Sequence, residues 1–415
     1  MPTLTIKAKI ECDAETEAIL RDAMASATKV YNGLLWHLRR EYETTGITKL
    51  SRSHLNAILK TLPRASAYYS LSVQATRNEV IEAYHSFFAL RRAGLAQHNA
   101  PGFRRKDTLS PLRYYDGYGF SLDGDTLTLS LGTKREDKIR SVCVGLKMRP
   151  DASYKRIANV LITYDAKLGL MAHLVVEAEP LSALGDDVAA VDLGETQAMA
   201  VALMSGRVLL YSGRLVKSVR RYWQKVRARV KPPTQTNRKK SRRYSGIDRK
   251  ESAQVNHLLH ILTTDCIRRL WDAGVSVIVV GDLKYIREQI DYGRQMNQRL
   301  HSWPFRKIVF MLTYKALLHG MTVVEADESY TSQTCHACGL VKKPNRQSRG
   351  LYICRCGWRV QADANSALNQ YERYAHVSPV KRSSGSVAEP VVVPLRLDWH
   401  MVYEPASHTG CPSIH

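Results

Sequence analysis

Apolar positions along this chain change period repeatedly, and each change predicts a change of element. The opening TLTIKAKIE alternates apolar and polar residues, as a half-buried strand does. From 15 to 45 the apolar residues recur at three- and four-residue intervals (Leu20, Met24, Ala27, Val30, Leu34, Leu38, Tyr42), which predicts a helix. LSRSHLNAILKTL and Ser72–Arg92 predict two more, the first stopping at Pro63 and the second at Gly94. Between 100 and 180 alternation returns. GFSLDGDTLTLSLG predicts a hairpin about a DGD turn, SVCVGLKM a strand, and NVLITYDAKLGLMAHLVVEAE a second hairpin. A helical block therefore interrupts a β domain that opens at residue 3 and resumes near 110.

After Pro180 the pattern shifts again. AAVDL is a strand, and AMAVALM and VLLYS pair about Ser205 and Gly206. A long basic helical region follows, then the strand VSVIVVGD with a helix starting near Asp282, a helix near 303–319, the strand MTVVEAD, a cysteine-rich module and the helix Asp363–Tyr374. Three antiparallel strands, then helix–strand, helix–strand and a last helix, is the order that a ribonuclease-H-like mixed sheet needs. The tail from His376 carries Ser, Pro and Val without periodicity and is expected to be mostly disordered.

Charge narrows the partner. The 415 residues carry 61 Lys+Arg against 38 Asp+Glu, a formal net charge of +23, which suits a polyanion. The excess is clustered: 214–250 holds fifteen basic residues and one acid, Asp248, with Tyr222, Trp223 and Tyr244 interleaved for base stacking. Nucleic acid is the expected partner. MPTLTIKAKIEC lacks the apolar core of a signal peptide, and no apolar run reaches membrane-spanning length, so a cytosolic protein is expected.

Four of the eight cysteines crowd into 335–356 as Cys335-x2-Cys338 and Cys354-x-Cys356, each pair beside a glycine. Two close thiolate pairs make a tetrahedral zinc site with no ligand position left for catalysis; a redox pair is the weaker alternative. Two acids stand at element ends, Asp192 in AAVDLGE and Asp363 in QADANSA. Each alone reads as well as a turn or helix cap. Brought together, they would need a cation, and hard carboxylate oxygens select Mg²⁺ or Mn²⁺.

AAVDLGETQAMAVAL, VIVVGDLKYIRE and SYTSQTCHACG…QADANSALN, in that order, resemble the split RuvC nuclease domain and embedded zinc ribbon of the TnpB family, transposon-encoded relatives of compact type V CRISPR effectors. LSVQATRNEVIEAYHSFF and APGFRRKDTLSPLRYY resemble that family's recognition helices and the basic loop leading into its wedge-like β domain. The resemblance covers 1–374. It implies an RNase H-like α/β nuclease domain at 183–334 and 357–374, a zinc ribbon at 335–356, a β-barrel-like wedge at 1–14 and 108–182, and a helical recognition insert at 15–107, with a tail at 375–415. It also implies a guide RNA that pairs with a target DNA strand beside a short flanking motif, and work in the cytoplasm, on the nucleoid when DNA-bound. By matching motifs, Asp192 and Asp363 correspond to the first and last catalytic acids, and Cys335, Cys338, Cys354 and Cys356 to the zinc ligands.

The family's middle acid is usually a Glu where this chain has Gly281. Three readings stay open: a dead nuclease that only binds DNA, Asp282 swinging in, or another carboxylate in the same space. Asp282 should face away, because neighbouring strand side chains alternate. Glu328, just past MTVVEAD, is the favoured substitute, since adjacent strands lie only about 4.8 Å apart; Glu288 and Glu325 are weaker candidates, and a surface Glu capping a turn is the bland alternative. The expectation is a Mg²⁺-dependent, RNA-guided DNA endonuclease using Asp192, Glu328 and Asp363. Its rivals are a nuclease-inactive RNA-guided regulator, an RNA-independent DNA transposase and a plain zinc-ribbon transcription factor.

Overall fold

Strand β1 (Thr3–Glu11) and helix α1 (Ala14–Thr45) follow the two periods of their sequence. In α1, Leu20, Met24, Ala27, Leu34 and Leu38 are fully buried, the stripe that the spacing predicts. Asp13 caps it by accepting the Thr16 N–H (2.6 Å), and Gly46 ends it with a left-handed φ of 69°. Helices α2 (Arg52–Thr61) and α3 (Ser70–Arg92) complete the helical block. The computed structural model describes residues 2–95, 99–147, 154–230, 242–282, 297, 303–348, 350–375 and 391–393. The chain divides into two compact units, Met1–Glu179 and Pro180–His415.

In the first unit the chain returns through β2 (Leu112–Tyr115), β3 (Phe120–Asp123), β4 (Thr126–Ser130), β5 (Ser141–Lys147), β6 (Arg156–Asp165) and β7 (Gly169–Glu177). With β1 these form one antiparallel sheet in the order β2-β6-β7-β1-β5-β4-β3. Strand β2 is too short and too rich in Tyr and Arg to stand out in the sequence, yet it pairs with β6 over four residues. The helices and the sheet share one apolar core.

The second unit opens with β8 (Asp187–Asp192), β9 (Gln197–Leu203) and β10 (Val208–Ser212), an antiparallel run. Helices α4 (Arg214–Val230) and α5 (Arg242–Asp272) follow, then β11 (Val275–Gly281), α6 (Phe305–Leu318) and β12 (Thr322–Ala326). Strands β11 and β12 join parallel on the far side of β8. A small sheet of β13 (Arg346–Ser348), β14 (Leu351–Ile353) and β15 (Arg359–Val360) precedes α7 (Ala362–Ala375). Val391–Val393 (β16) pairs parallel with β10, so the sheet order is β12-β11-β8-β9-β10-β16. That strand falls within the tail expected to be mostly disordered and lies at the edge of the sheet beside β10. The rest of the tail lies outside the described residues, as do Glu288 and the helix predicted to start near Asp282.

Both faces of this sheet are covered, which is why β8 reads as an unbroken apolar run. Ala189 and Val191 pack with α5 and α6 in one cluster, whereas Ala190 packs with Ala364, Ala367 and Leu368 of α7 and with the cysteine module in the other. This alternation decides where the acids go.

Candidate active site and zinc module

Asp192 ends β8 and shares the parity of Ala190, so its side chain belongs to the α7 face of the sheet. Asp363 lies in the first turn of α7, 8% exposed. It is not the helix cap. Gln361 performs that task, accepting the Ala364 N–H at 2.7 Å, and also donates to Asp363 Oδ2 at 3.0 Å. The other oxygen, Oδ1, accepts from the Arg346 guanidinium at 2.8 Å. The two aspartates are thus brought to one face, and burial pushes the Asp192 carboxyl well above its usual range, with Asp363 and Glu328 adding repulsion and Arg346 opposing it.

Strand β11 explains the glycine. Ile278 and Val280 belong to the opposite, α5–α6 cluster, so Gly281 faces α7 and Asp282 has the other parity. The Asp282 N–H still donates to the Ala326 carbonyl (2.7 Å), which keeps its backbone in the ladder. Gly281 pairs with Ala326 on β12, and Glu328 follows two residues later, on the same parity. A Cβ at Gly281 would overlap the Glu328 carboxylate, lying 2.9 Å from its Cδ. Glu328 therefore fills the space that a side chain at 281 would take. Burial, helped by Asp327 and Asp282, pushes its pKa up to about 7. Glu325, the other candidate on this strand, is paired with Arg306 at 2.6 Å.

The loop after Glu328 is clamped to α7. Asn369 donates to the carbonyls of Thr331 (2.8 Å) and Thr334 (2.7 Å), and Asn365 donates to Thr334 (2.7 Å) while accepting the His336 N–H (3.1 Å). Asn365 is buried and Asn369 half-buried, and both are satisfied, which ties Glu328, the cysteine module and Asp363 into one piece.

In that module Cys335 and Cys356 have their sulfurs 3.7 Å apart, as do Cys338 and Cys354, and all four lie within 4.8 Å of one another. A tetrahedral ion with Zn–S bonds of about 2.3 Å separates its sulfurs by about 3.8 Å, so the four residues fit zinc. Among the described residues this is the group of three or more whose ligand atoms converge in this way.

Arg346 carries no signal in the sequence. It is one of several basic residues between the cysteine pairs, and only the fold of β13 aims it at Asp363. The basic helices correct a second expectation. Trp223 is 9% exposed and donates to Gln254 at 2.6 Å, while Arg227 pairs with Asp248 and Glu251, so these residues hold α4 to α5. Tyr222, 59% exposed, meets Trp223 edge-on (ring centroids 5.1 Å apart) and leaves much of its ring open to solvent.

Similarity to known proteins falls on the same segments. The family model for a probable transposase matches 173–287, which includes Asp192 and Gly281. That for the Cas12f1-like TNB domain matches 305–370, which includes Glu328, the four cysteines and Asp363. A TnpB-like protein, ORF457 of Acidianus two-tailed virus, is 29% identical over 221 residues, covering 51% of this chain and 45% of that protein. The CRISPR-associated endodeoxyribonuclease Cas12f1 of Sulfoacidibacillus thermotolerans is 35% identical over 97 residues, 23% of this chain and 22% of that one. The chain thus spans less than half the length of either curated relative. Among solved structures, Cas12f1 in its complex with sgRNA and target DNA superposes with a TM-score of 0.59 at 14% identity, over 86% of this chain and 82% of that one. A mini-RNA-guided endonuclease, CRISPR-Cas_phi3, does so at 0.51 and 11% identity, over 90% and 92%. At such identities the likeness is one of fold, and the mixed α/β architecture is that of these effectors. Both family segments stand in order along one chain, and together with the TnpB-like and Cas12f1 relatives they support a TnpB family member related to the type V effectors.

Proposed function

We propose that this protein is an RNA-guided DNA endonuclease of the TnpB type, with a RuvC-like site made of Asp192, Glu328 and Asp363. The observation that carries this reading is the overlap of Glu328 with the side-chain space of Gly281, on the sheet face shared with both aspartates. The strand order, with three antiparallel strands flanked by two parallel ones, supports the ribonuclease-H-like assignment. Three half-buried to buried carboxylates that repel one another are a donor set suited to Mg²⁺ or Mn²⁺. Asp192, Glu328 and Asp363 would hold such ions, whose chemistry would be to activate a water and to stabilise charge at the leaving oxygen. The chain's own part is to hold the acids on one face, to exclude water with the α7 layer, and to place the Arg346 guanidinium beside Asp363, where it could meet a phosphate.

The names of the relatives, an endodeoxyribonuclease and a complex with sgRNA and target DNA, support guide RNA and DNA as partners. The first unit would act as wedge (1–14, 108–182) and recognition domain (15–107), gripping the RNA scaffold and the flanking duplex. Exposed rings that carry arginines, Trp36 with Arg40 and Phe103 with Arg39, suit that task. The basic residues of 214–250 would lie against the guide–target duplex. No helix among the described residues is long and apolar enough to cross a membrane.

The test is a cleavage assay with purified protein, a guide-bearing RNA and matched or mismatched DNA, with and without Mg²⁺. Cleavage should need all three. Guide-dependent binding without cleavage would favour the inactive regulator, and cleavage without RNA the transposase.

A second expectation concerns acid–base linkage. The Glu328 carboxyl titrates higher in the folded protein (about 7) than its ordinary 4.5, so the metal-free fold loses stability as pH rises through that interval. Glu328→Gln, neutral throughout, should match the parent at pH 4, below the ordinary carboxyl value, and melt a few degrees higher at pH 8 without added divalent ions. A melting difference independent of pH would show that this carboxyl is not the strained one.

A further inference from the structure

Gln370 lies on α7 two turns beyond Asp363, on the face turned to the sheet, and is 1% exposed. A buried primary amide is costly unless both its ends are satisfied. Here both are, by backbone of two different strands. With the amide turned to match its surroundings, Nε2 donates to the Val191 carbonyl (3.3 Å) and Oε1 accepts the Gly281 N–H (2.8 Å). Val191 immediately precedes Asp192, and Gly281 is the residue whose side-chain space Glu328 fills.

The geometry points to Gln370 as a positioning residue for divalent-metal binding. Its amide ties the carboxyl ends of β8 and β11 to the helix that carries Asp363, and so sets the spacing of three acids that come from separate parts of the chain. The inference rests on the nuclease site proposed above. An apolar residue would serve packing equally well at this position, beside Ala364, Ala367 and Leu368, so the polar choice calls for a role in fixing backbone. Gly281, lacking a side chain, is the strand position most in need of an external tether, because an unsupported glycine is freer than any other residue.

The test is Mn²⁺ titration of the full-length zinc-loaded protein, followed by calorimetry or electron paramagnetic resonance, with Asp192→Asn defining the site. Gln370→Met keeps volume and helix propensity and removes both hydrogen bonds. Its zinc content and its guide-dependent DNA binding should equal the parent's. Its Mn²⁺ dissociation constant should rise at least about tenfold, and cleavage should fall by a similar factor at limiting Mn²⁺ and recover at saturation. An unchanged Mn²⁺ affinity, or a cleavage defect that saturating metal does not relieve, would overturn the inference. Should the Met variant lose zinc or melt early, Gln370→Glu decides the question. It keeps the acceptor for Gly281 and loses the donor to Val191, and parent-like Mn²⁺ affinity would again overturn the proposal. A parent with no Asp192-dependent Mn²⁺ binding would remove the nuclease site itself and this inference with it; a parent that binds, beside Gln370 variants that bind equally, removes the inference alone.

Discussion

Glu328→Ala should lower target cleavage by about a thousandfold or more, the loss expected when a group holding catalytic metal is removed, while Asp282→Ala stays within a few-fold of the parent. Asp192→Ala and Asp363→Ala should match Glu328→Ala, and all three should keep guide-dependent DNA binding. The contrast between Glu328 and Asp282 follows from parity: Gly281 and Glu328 share the α7 face, and Asp282 does not. Relocating the acid is the sharper form of the same test. Gly281→Glu alone should be inactive, because its Cβ would overlap the resident carboxylate. Combined with Glu328→Ala, which vacates the space, it should recover at least about tenfold over Glu328→Ala. An inactive Asp282→Ala beside an active Glu328→Ala would sink the assignment.

Loss of zinc should be nearly as damaging, by another route. The protein should contain one zinc per chain, and Cys354→Ser, at a buried ligand position, should lose it. Structural zinc contributes on the order of 10 kcal/mol to small domains, so the module should open rather than relax. It holds Tyr352, whose hydroxyl donates to the Gln333 carbonyl (3.2 Å), and Arg346, which donates to Asp363. Opening it would free both the Glu328 loop and the first turn of α7, and cleavage should fall at least about a hundredfold. Metal analysis, Trp358 fluorescence and the cleavage assay measure the three steps separately. Full zinc content in Cys354→Ser, or full activity without zinc, would refute this chain of dependence.

Much of this was legible in the sequence because it is local. The stripe of α1, the hairpin about Gly124, the two cysteine pairs and the apolar run of β8 all follow from residue spacing. Strand β2 was not, since four residues with two tyrosines carry no clear period. Trp223 departs from the stacking role its sequence suggests, because a basic, aromatic helix face looks alike in sequence whether it meets nucleic acid or another helix. Arg346 and Gln370 were invisible for a related reason: their partners are 17 residues away in one case, and on two separate strands in the other.

By itself, the sequence determined most of the elements, where four cysteines crowd together, and that β11 ends on a glycine rather than an acid. Only the tertiary structure decided which side chain fills the space beside that glycine. Strand register and pleat assign side chains to faces, and register is a property of paired strands rather than of either strand alone. Once β12 aligns Ala326 beside Gly281, the two-residue reach to Glu328 follows from the chain's geometry, and no spacing along the polymer could have shown it.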